Sequence, residues 1–198
     1  MKSKNNGWIT FSLGAVIMAA CYAFAVIRGE ENFGELSAMV VAATVHELGH
    51  IITASVLHLP LGGMRLDILG ARISTAVSIS YFDEWMLSAG GPAFNLITAA
   101  CLMPLCESSE WISLFIYSSL GLATLNLLPV DTFDGGRMLF CFLSSFTDGE
   151  LPRRAVRFLS FFFVFLMWLI SVYLLMRIGN SLSLFVFSAC LFSKLLTE

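Results

Sequence analysis

The stretch LSAMVVAATVHELGHIITASVLHL, residues 36–59, decides the fold of this chain, because it is an apolar segment with two histidines and one glutamate at its centre. A helix of about 20 apolar residues crosses the hydrocarbon of a bilayer. A charged side chain there costs roughly 2.5–3.5 kcal/mol on insertion scales, and such groups usually mark a functional site. We therefore predict a membrane-spanning helix that carries a site.

The spacing of His46, Glu47 and His50 indicates which kind of site this is. Residues four apart on a helix differ by about 40° of rotation, so both imidazoles lie on one face. Two neutral imidazoles can hold Zn²⁺, and a neighbouring carboxylate can take a proton from the water on that ion. The alternative is a hydrogen-bonded histidine pair inside a helical bundle, which needs no adjacent acid.

Composition places the chain among membrane proteins. Hydrophobic residues make up 58% of its 198 residues and charged residues only 13%, which is outside the usual soluble range. The net charge of −3 comes without a basic block, so no nucleic-acid partner is expected. The five cysteines form no C-x-x-C pair and indicate packing residues rather than disulfides or a thiolate zinc site.

Apolar runs recur along the chain and predict an all-α membrane protein with about six transmembrane helices. The first run could also be a signal peptide, since Ala23-Phe24-Ala25 resembles a cleavage site, but its length favours an uncleaved span. The predicted spans are 8–27, 36–59, 85–103, 111–128, one that ends near 176, and 181–196.

A short membrane-associated β-hairpin is predicted at about residues 63–80. Residues 64–68 and 73–80 alternate between apolar and polar side chains around Leu69-Gly70. This period of two is typical of strands with one apolar face. A simple polar connector is the alternative.

The charges give an orientation for this arrangement. With six crossings, the lysines near the N-terminus, the arginines of the hairpin and the cluster Arg153–Arg157 share one side. The positive-inside rule then places both termini in the cytoplasm of a multi-pass integral membrane protein, which we expect in a bacterial cytoplasmic membrane. His50 would lie about 12 Å from the cytoplasmic end of its span.

A catalytic zinc ion needs a third protein ligand, and the remaining histidine does not fit. His58 lies about 12 Å along the same helix from His50, too far to share an ion with zinc–nitrogen bonds of about 2 Å. Asp134 and Asp131 follow a span that breaks at Pro129. Spacing alone favours Asp134, because Gly135-Gly136 permit close backbone approach, but leaves Asp131 open.

Together, these motifs resemble the site-2 protease family of intramembrane zinc metalloproteases. That family pairs H-E-x-x-H in one span with N-x-x-P-x-x-x-x-D-G in a later one. Residues 126–135, NLLPVDTFDG, match the second motif, and residues 91–95, GPAFN, resemble the family's central-span pattern. The size is closest to the small bacterial branch that processes sporulation sigma-factor precursors, although neither a C-terminal soluble module nor a PDZ-like insert is evident.

The resemblance implies the roles of the site residues. His46, His50 and Asp134 would bind one Zn²⁺ ion, and Glu47 would act as general base and acid. Asn126, Asn95 and Pro129 would contribute to substrate binding. The catalytic three-span core with the hairpin would cover residues 36–146, preceded by a helix and loop in 1–35 and followed by a helical pair in 147–198.

The expected activity is hydrolysis of peptide bonds in membrane-embedded or membrane-tethered protein substrates, as in regulated intramembrane proteolysis. The lipid bilayer and a membrane regulatory partner are the other expected partners. The strand-rich stretch would pair with an extended substrate, which fits the physics of strand addition. The rival functions are a zinc-binding scaffold without cleavage and a metal transporter.

Overall fold

The computed structural model describes residues 9–11, 33–59, 61–67, 70–75, 79–147, 149–178, 188–189 and 191–192. Its α-helices are α1 (Phe33–Val56), α2 (Tyr81–Leu102), α3 (Glu110–Asn126), α4 (Asp134–Ser144) and α5 (Leu151–Ile178), and a 3₁₀ helix, Met103–Ser108, continues α2. The strands are β1 (Ile9–Phe11), β2 (Leu61–Asp67) and β3 (Gly70–Thr75). The chain divides into two compact units, Met1–Thr124 and Leu125–Glu198.

Helix α1 buries one stripe of small residues and both histidines. Its buried positions recur at intervals of three and four residues, which is one face of a helix; they are Ala38, Ala42, His46, Gly49, His50 and Ala54. Large apolar residues such as Met39 and Val56 are exposed elsewhere on α1, at 61% and 68%. Small residues facing neighbouring helices and large apolar residues facing outward are typical of a helix surrounded by lipid.

The core of the first unit joins α1 to α3. Ala38, Ala42 and Phe115 form a buried cluster, against which Val45, Leu102 and Leu114 pack. The indole N–H of Trp111 donates a hydrogen bond to the Ser37 hydroxyl at 2.9 Å. These contacts hold α3 beside the N-terminal half of α1, and α2 packs against the part of α1 that carries the histidines.

Helix α1 ends in a capping motif that accounts for the third histidine. The N–H of Leu59 donates to the carbonyl of Ala54 at 2.9 Å, and the N–H of His58 donates to that of Ser55 at 3.1 Å. This pair of bonds is the Schellman arrangement, in which the residue that follows the C-cap is left-handed. His58 has that conformation, with φ of 52°, and is exposed at the helix end.

The three strands form one sheet in the order β1-β2-β3. Strands β2 and β3 are antiparallel, with Arg65 opposite Arg72, and β1 runs parallel to β2, with Thr10 opposite Arg65. The parallel partner comes from the N-terminal part of the chain, far away in sequence. Strand β3 therefore lies at one edge of the sheet among the strands that the structure describes.

The predicted fold class is wrong. Three helices in the described part of the chain are long and apolar enough to cross a membrane, Phe33–Val56, Tyr81–Ser108 and Leu151–Arg177, rather than about six. Helix α3, in the predicted fourth span, has 17 residues, the lower end of the range that crosses hydrocarbon, and is not among these three. Strands β2 and β3 pair as an antiparallel hairpin, and β1 adds a third strand to it, so the sheet is larger than predicted.

The first predicted span does not begin as a helix. Residues 9–11 belong to β1, so they pair with β2 instead of opening a transmembrane helix. An apolar run cannot distinguish these outcomes, because pairing with a distant strand leaves no mark on local hydropathy. The rest of the first span and most of 181–196 lie outside the described residues, and the predicted domain boundaries stay predictions.

Candidate metal centre

The two histidines of α1 meet through their ring nitrogens. Their Nε2 atoms lie 3.3 Å apart, and the rings stand nearly perpendicular, at 81°, with centroids 4.9 Å apart. His46 is only 4% exposed and His50 7%. The four-residue spacing on the helix therefore places two buried imidazole nitrogens side by side, as the sequence predicted.

Helix α2 faces this pair with residues four apart. Leu87, Gly91 and Asn95 lie on one side of α2, and each one contacts or approaches the histidines. The Nδ1 of His50 lies 2.8 Å from the Leu87 carbonyl oxygen, and the Nδ2 of Asn95 lies 3.5 Å from the Nδ1 of His46.

The hydrogen bond to Leu87 fixes the tautomer of His50. A backbone carbonyl can only accept, so the Nδ1 of His50 must carry the proton that it donates. In the neutral ring, Nε2 then keeps its lone pair. This is how proteins commonly orient a histidine that binds a metal through the other nitrogen.

Glycines allow α1 and α2 to come this close. A Cβ atom on Gly49 would lie 2.5 Å from the carbonyl oxygen of Gly90 and 2.8 Å from the Cβ of Phe94. A Cβ on Gly91 would lie 2.7 Å from the Nε2 of His46 and closer still to that of His50. Real Cβ atoms do not approach so closely, so the helix contact requires glycine at these positions.

Asp134 is placed by a turn in the second unit. It is the first residue of α4 and half-buried, and a carboxylate there is favoured by the helix dipole. The turn before it contains a hydrogen bond from the Phe133 N–H to the Val130 carbonyl, at 2.8 Å. A Cβ on Gly135 would collide with the Leu127 carbonyl, so this glycine permits the tight packing of the turn.

Helix α5 also holds this turn. The Ser160 hydroxyl accepts a hydrogen bond from the Asp131 N–H at 2.8 Å and donates one to the Val156 carbonyl at 2.8 Å. Ser160 is fully buried, whereas the Asp131 side chain is exposed. Sequence reasoning missed Ser160, and a serine inside an apolar helix was the only local signal.

The remaining predicted residues lie in or beside these elements. Glu47 is half-buried on α1, next to His46. Asn126 ends α3 and Pro129 lies in the turn, and both are half-buried. Sequence reasoning also missed the carbonyl of Leu87, which only the four-residue spacing to Gly91 and Asn95 could have indicated.

His46 and His50 in the first unit, and Asp134 in the second, offer ligand atoms of the kind that a metal ion takes. Two imidazole nitrogens and one carboxylate oxygen are a donor set that zinc uses, and three protein ligands leave a fourth position open, as in catalytic sites. The Nδ1–H of His50 and the absence of a Cβ at Gly91 fit such an ion, because they leave the two Nε2 atoms accessible to it. The residues present therefore fit zinc.

Comparisons with known proteins concern the family and the fold of this chain. The model of "Peptidase family M50" matches residues 106–170, a range that contains Asn126, Pro129 and Asp134. The solved structure of the site-2 protease from Methanocaldococcus jannaschii has a TM-score of 0.72 and 18% sequence identity, over 96% of this chain and 89% of that one. At this identity the likeness shows the fold. No curated protein matches the chain in sequence.

Proposed function

We propose that this chain, for which the family-model match and the fold support the site-2 protease family, is an intramembrane zinc metalloprotease. A protease of that family is embedded in the membrane, and three described helices are apolar and long enough to cross one. The observation that carries the proposal is the buried pair of Nε2 atoms 3.3 Å apart on one of these helices. Lipid-embedded ionisable residues persist where they serve function.

His46, His50 and Asp134 would hold the ion, and Glu47 would handle the proton. When bound, zinc would polarise the scissile carbonyl and lower the pKa of water to about 7. The carboxylate of Glu47, adjacent in sequence to His46, would accept a proton from the attacking water and return it to the leaving amine. Buried surroundings strengthen these electrostatic effects, because they exclude bulk water.

The proposed substrates are membrane-embedded or membrane-tethered proteins. A helical substrate hides its carbonyls in internal hydrogen bonds, so its target segment must unwind before hydrolysis. Strand β3 lies at an edge of the described sheet, and an extended segment could add to that edge through backbone hydrogen bonds. Asn126 and Pro129 would line the path of such a segment, and both chain termini would face the cytoplasm of a bacterial membrane.

Cleavage by purified protein tests the proposal. The full chain in detergent should cleave a membrane-tethered precursor, chosen by co-expression, and a zinc chelator should abolish the cleavage. Glu47→Gln should keep bound zinc and lose cleavage, whereas Glu110→Gln, an exposed glutamate at the start of α3, should behave as the wild type.

Three outcomes would contradict the proposed function. Wild-type turnover by Glu47→Gln would refute the role of that carboxylate. Zinc-loaded wild-type protein without cleavage of any membrane-tethered precursor would favour the scaffold, and zinc flux into vesicles in place of cleavage would favour the transporter.

A further inference from the structure

Asn95 has an unusual position for a residue that was expected to bind substrate. It is fully buried, at 0% exposure, and its amide lies against the side of His46 that faces away from His50. The contact joins the Nδ2 of Asn95 to the Nδ1 of His46 at 3.5 Å. Within the described residues, the Oδ1 of Asn95 has no hydrogen-bond partner.

The protonation of the His46 ring determines whether the oxygen or the nitrogen of the Asn95 amide should face it. Its Nε2 points to the Nε2 of His50, 3.3 Å away, so a shared ion would be bound through Nε2. A neutral imidazole that binds a metal through Nε2 carries its proton on Nδ1. That N–H needs an acceptor, and an amide NH₂ group cannot accept.

A rotation of the Asn95 amide by about 180° supplies the acceptor. The oxygen and nitrogen of an asparagine amide are nearly equal in size, and their positions are assigned from the hydrogen-bond network rather than from shape. After the rotation, Oδ1 stands where Nδ2 is now and faces the Nδ1–H of His46. No backbone movement is required.

We infer that Asn95 is a positioning residue whose amide oxygen accepts a hydrogen bond from the Nδ1–H of His46 when the ion is bound. It would fix the tautomer and orientation of that ring, as the Leu87 carbonyl does for His50. One face of α2 thus orients both imidazoles, with Gly91 between the two contacts. This inference rests on the proposed zinc site and assigns Asn95 a role other than substrate binding.

The test compares an acceptor with an apolar residue at this position. Zinc affinity of the full chain in detergent is measured by competition with a chromophoric zinc chelator. Asn95→Leu should weaken zinc binding by about 10–100-fold, the usual effect of losing an outer partner of a metal-binding histidine. Asn95→Asp should stay within a few-fold of the wild type, because a carboxylate can only accept.

Thr98→Val is the matched control. Thr98 lies one turn further along α2, and its hydroxyl donates only within that helix, to the carbonyls of Phe94 and Asn95 at 2.8 and 3.1 Å. The variant should bind zinc as the wild type does. Circular dichroism of each variant establishes that the helices are formed.

Several results would overturn the inference. If Asn95→Leu binds zinc like the wild type, Asn95 does not orient His46. If Asn95→Asp is as weak as Asn95→Leu, a hydrogen-bond acceptor at this position does not orient His46. If the wild type itself binds no zinc, the proposed function fails together with this inference. If the wild type binds zinc and only the variants behave otherwise than expected, the inference alone fails.

A second measurement uses only the wild-type protein, so it does not depend on the folding of a variant. Nitrogen-15 spectra of histidine-labelled wild-type protein with zinc should show Nδ1–H and metal-bound Nε2 for both His46 and His50. A metal-bound Nδ1 at His46 would contradict the assigned role of Asn95.

Discussion

The Nδ1 of His50 lies 2.8 Å from the carbonyl oxygen of Leu87, a backbone atom of the neighbouring helix. A backbone acceptor cannot be removed by a side-chain substitution, so this ring orientation depends only on how closely α1 and α2 approach. That approach depends in turn on Gly91, four residues beyond Leu87. The proposed zinc site should therefore be sensitive to the separation of two helices.

Gly91→Ala should damage the metal centre without touching a ligand. The added Cβ would collide with both Nε2 atoms, so α2 must move away from α1. We expect zinc affinity to fall at least about tenfold and the free energy of unfolding to fall by about 1–3 kcal/mol, as for overpacked cores. Zinc competition and thermal unfolding in detergent measure the two effects.

Gly121→Ala is the control for that substitution. A Cβ on Gly121, inside α3, would meet nothing within 4 Å. Removing a glycine from a helix interior stabilises by about 0.5–1 kcal/mol. An equal loss of zinc in both variants would show that the effect at Gly91 is not due to the close contact.

Asp134→Asn should remove most of the zinc affinity. A neutral amide replaces a charged ligand, so the loss should exceed the roughly 10–100-fold caused by removing an outer partner. Asp131→Asn should bind zinc normally, since that side chain is exposed. The reverse ranking of the two variants in a zinc competition assay would make Asp131 the ligand.

Ser160→Ala should destabilise the turn that carries Asp134. The substitution leaves the part-buried Asp131 N–H without its acceptor, which costs about 1 kcal/mol, the low end of the range for an unsatisfied donor. Ser145→Ala, at an exposed helix end where the hydroxyl donates to its own turn, should change stability by less than about 0.5 kcal/mol. Thermal unfolding compares them, and equal midpoints would contradict the role of Ser160.

His58→Gly should stabilise the protein and leave zinc binding unchanged. His58 adopts φ of 52° at the end of α1, a conformation that costs an L-residue roughly 1–2 kcal/mol and glycine almost nothing. The thermal midpoint should rise. A loss of zinc in this variant would mean that His58 belongs to the metal centre after all.

The pairing of the two buried histidines was predictable from the sequence, while much of the fold was not. The family match and the likeness of fold agree with the resemblance that the two motifs carried. The number of spans was overestimated, because the length of an apolar run does not show which other segments of the chain it pairs with. Ile9–Phe11 shows the reason, since a strand that pairs with residues more than 50 positions away has the same local hydropathy as the start of a helix.

The sequence by itself determined that His46 and His50 share a face, because the period of a helix is a local property of the chain. Only the tertiary structure decided what that face meets, namely the Leu87 carbonyl, the bare Cα of Gly91 and the amide of Asn95. Two helices can approach to that distance in many registers, and each register presents a different set of atoms. The choice among them depends on packing between segments remote in sequence, which no local pattern records.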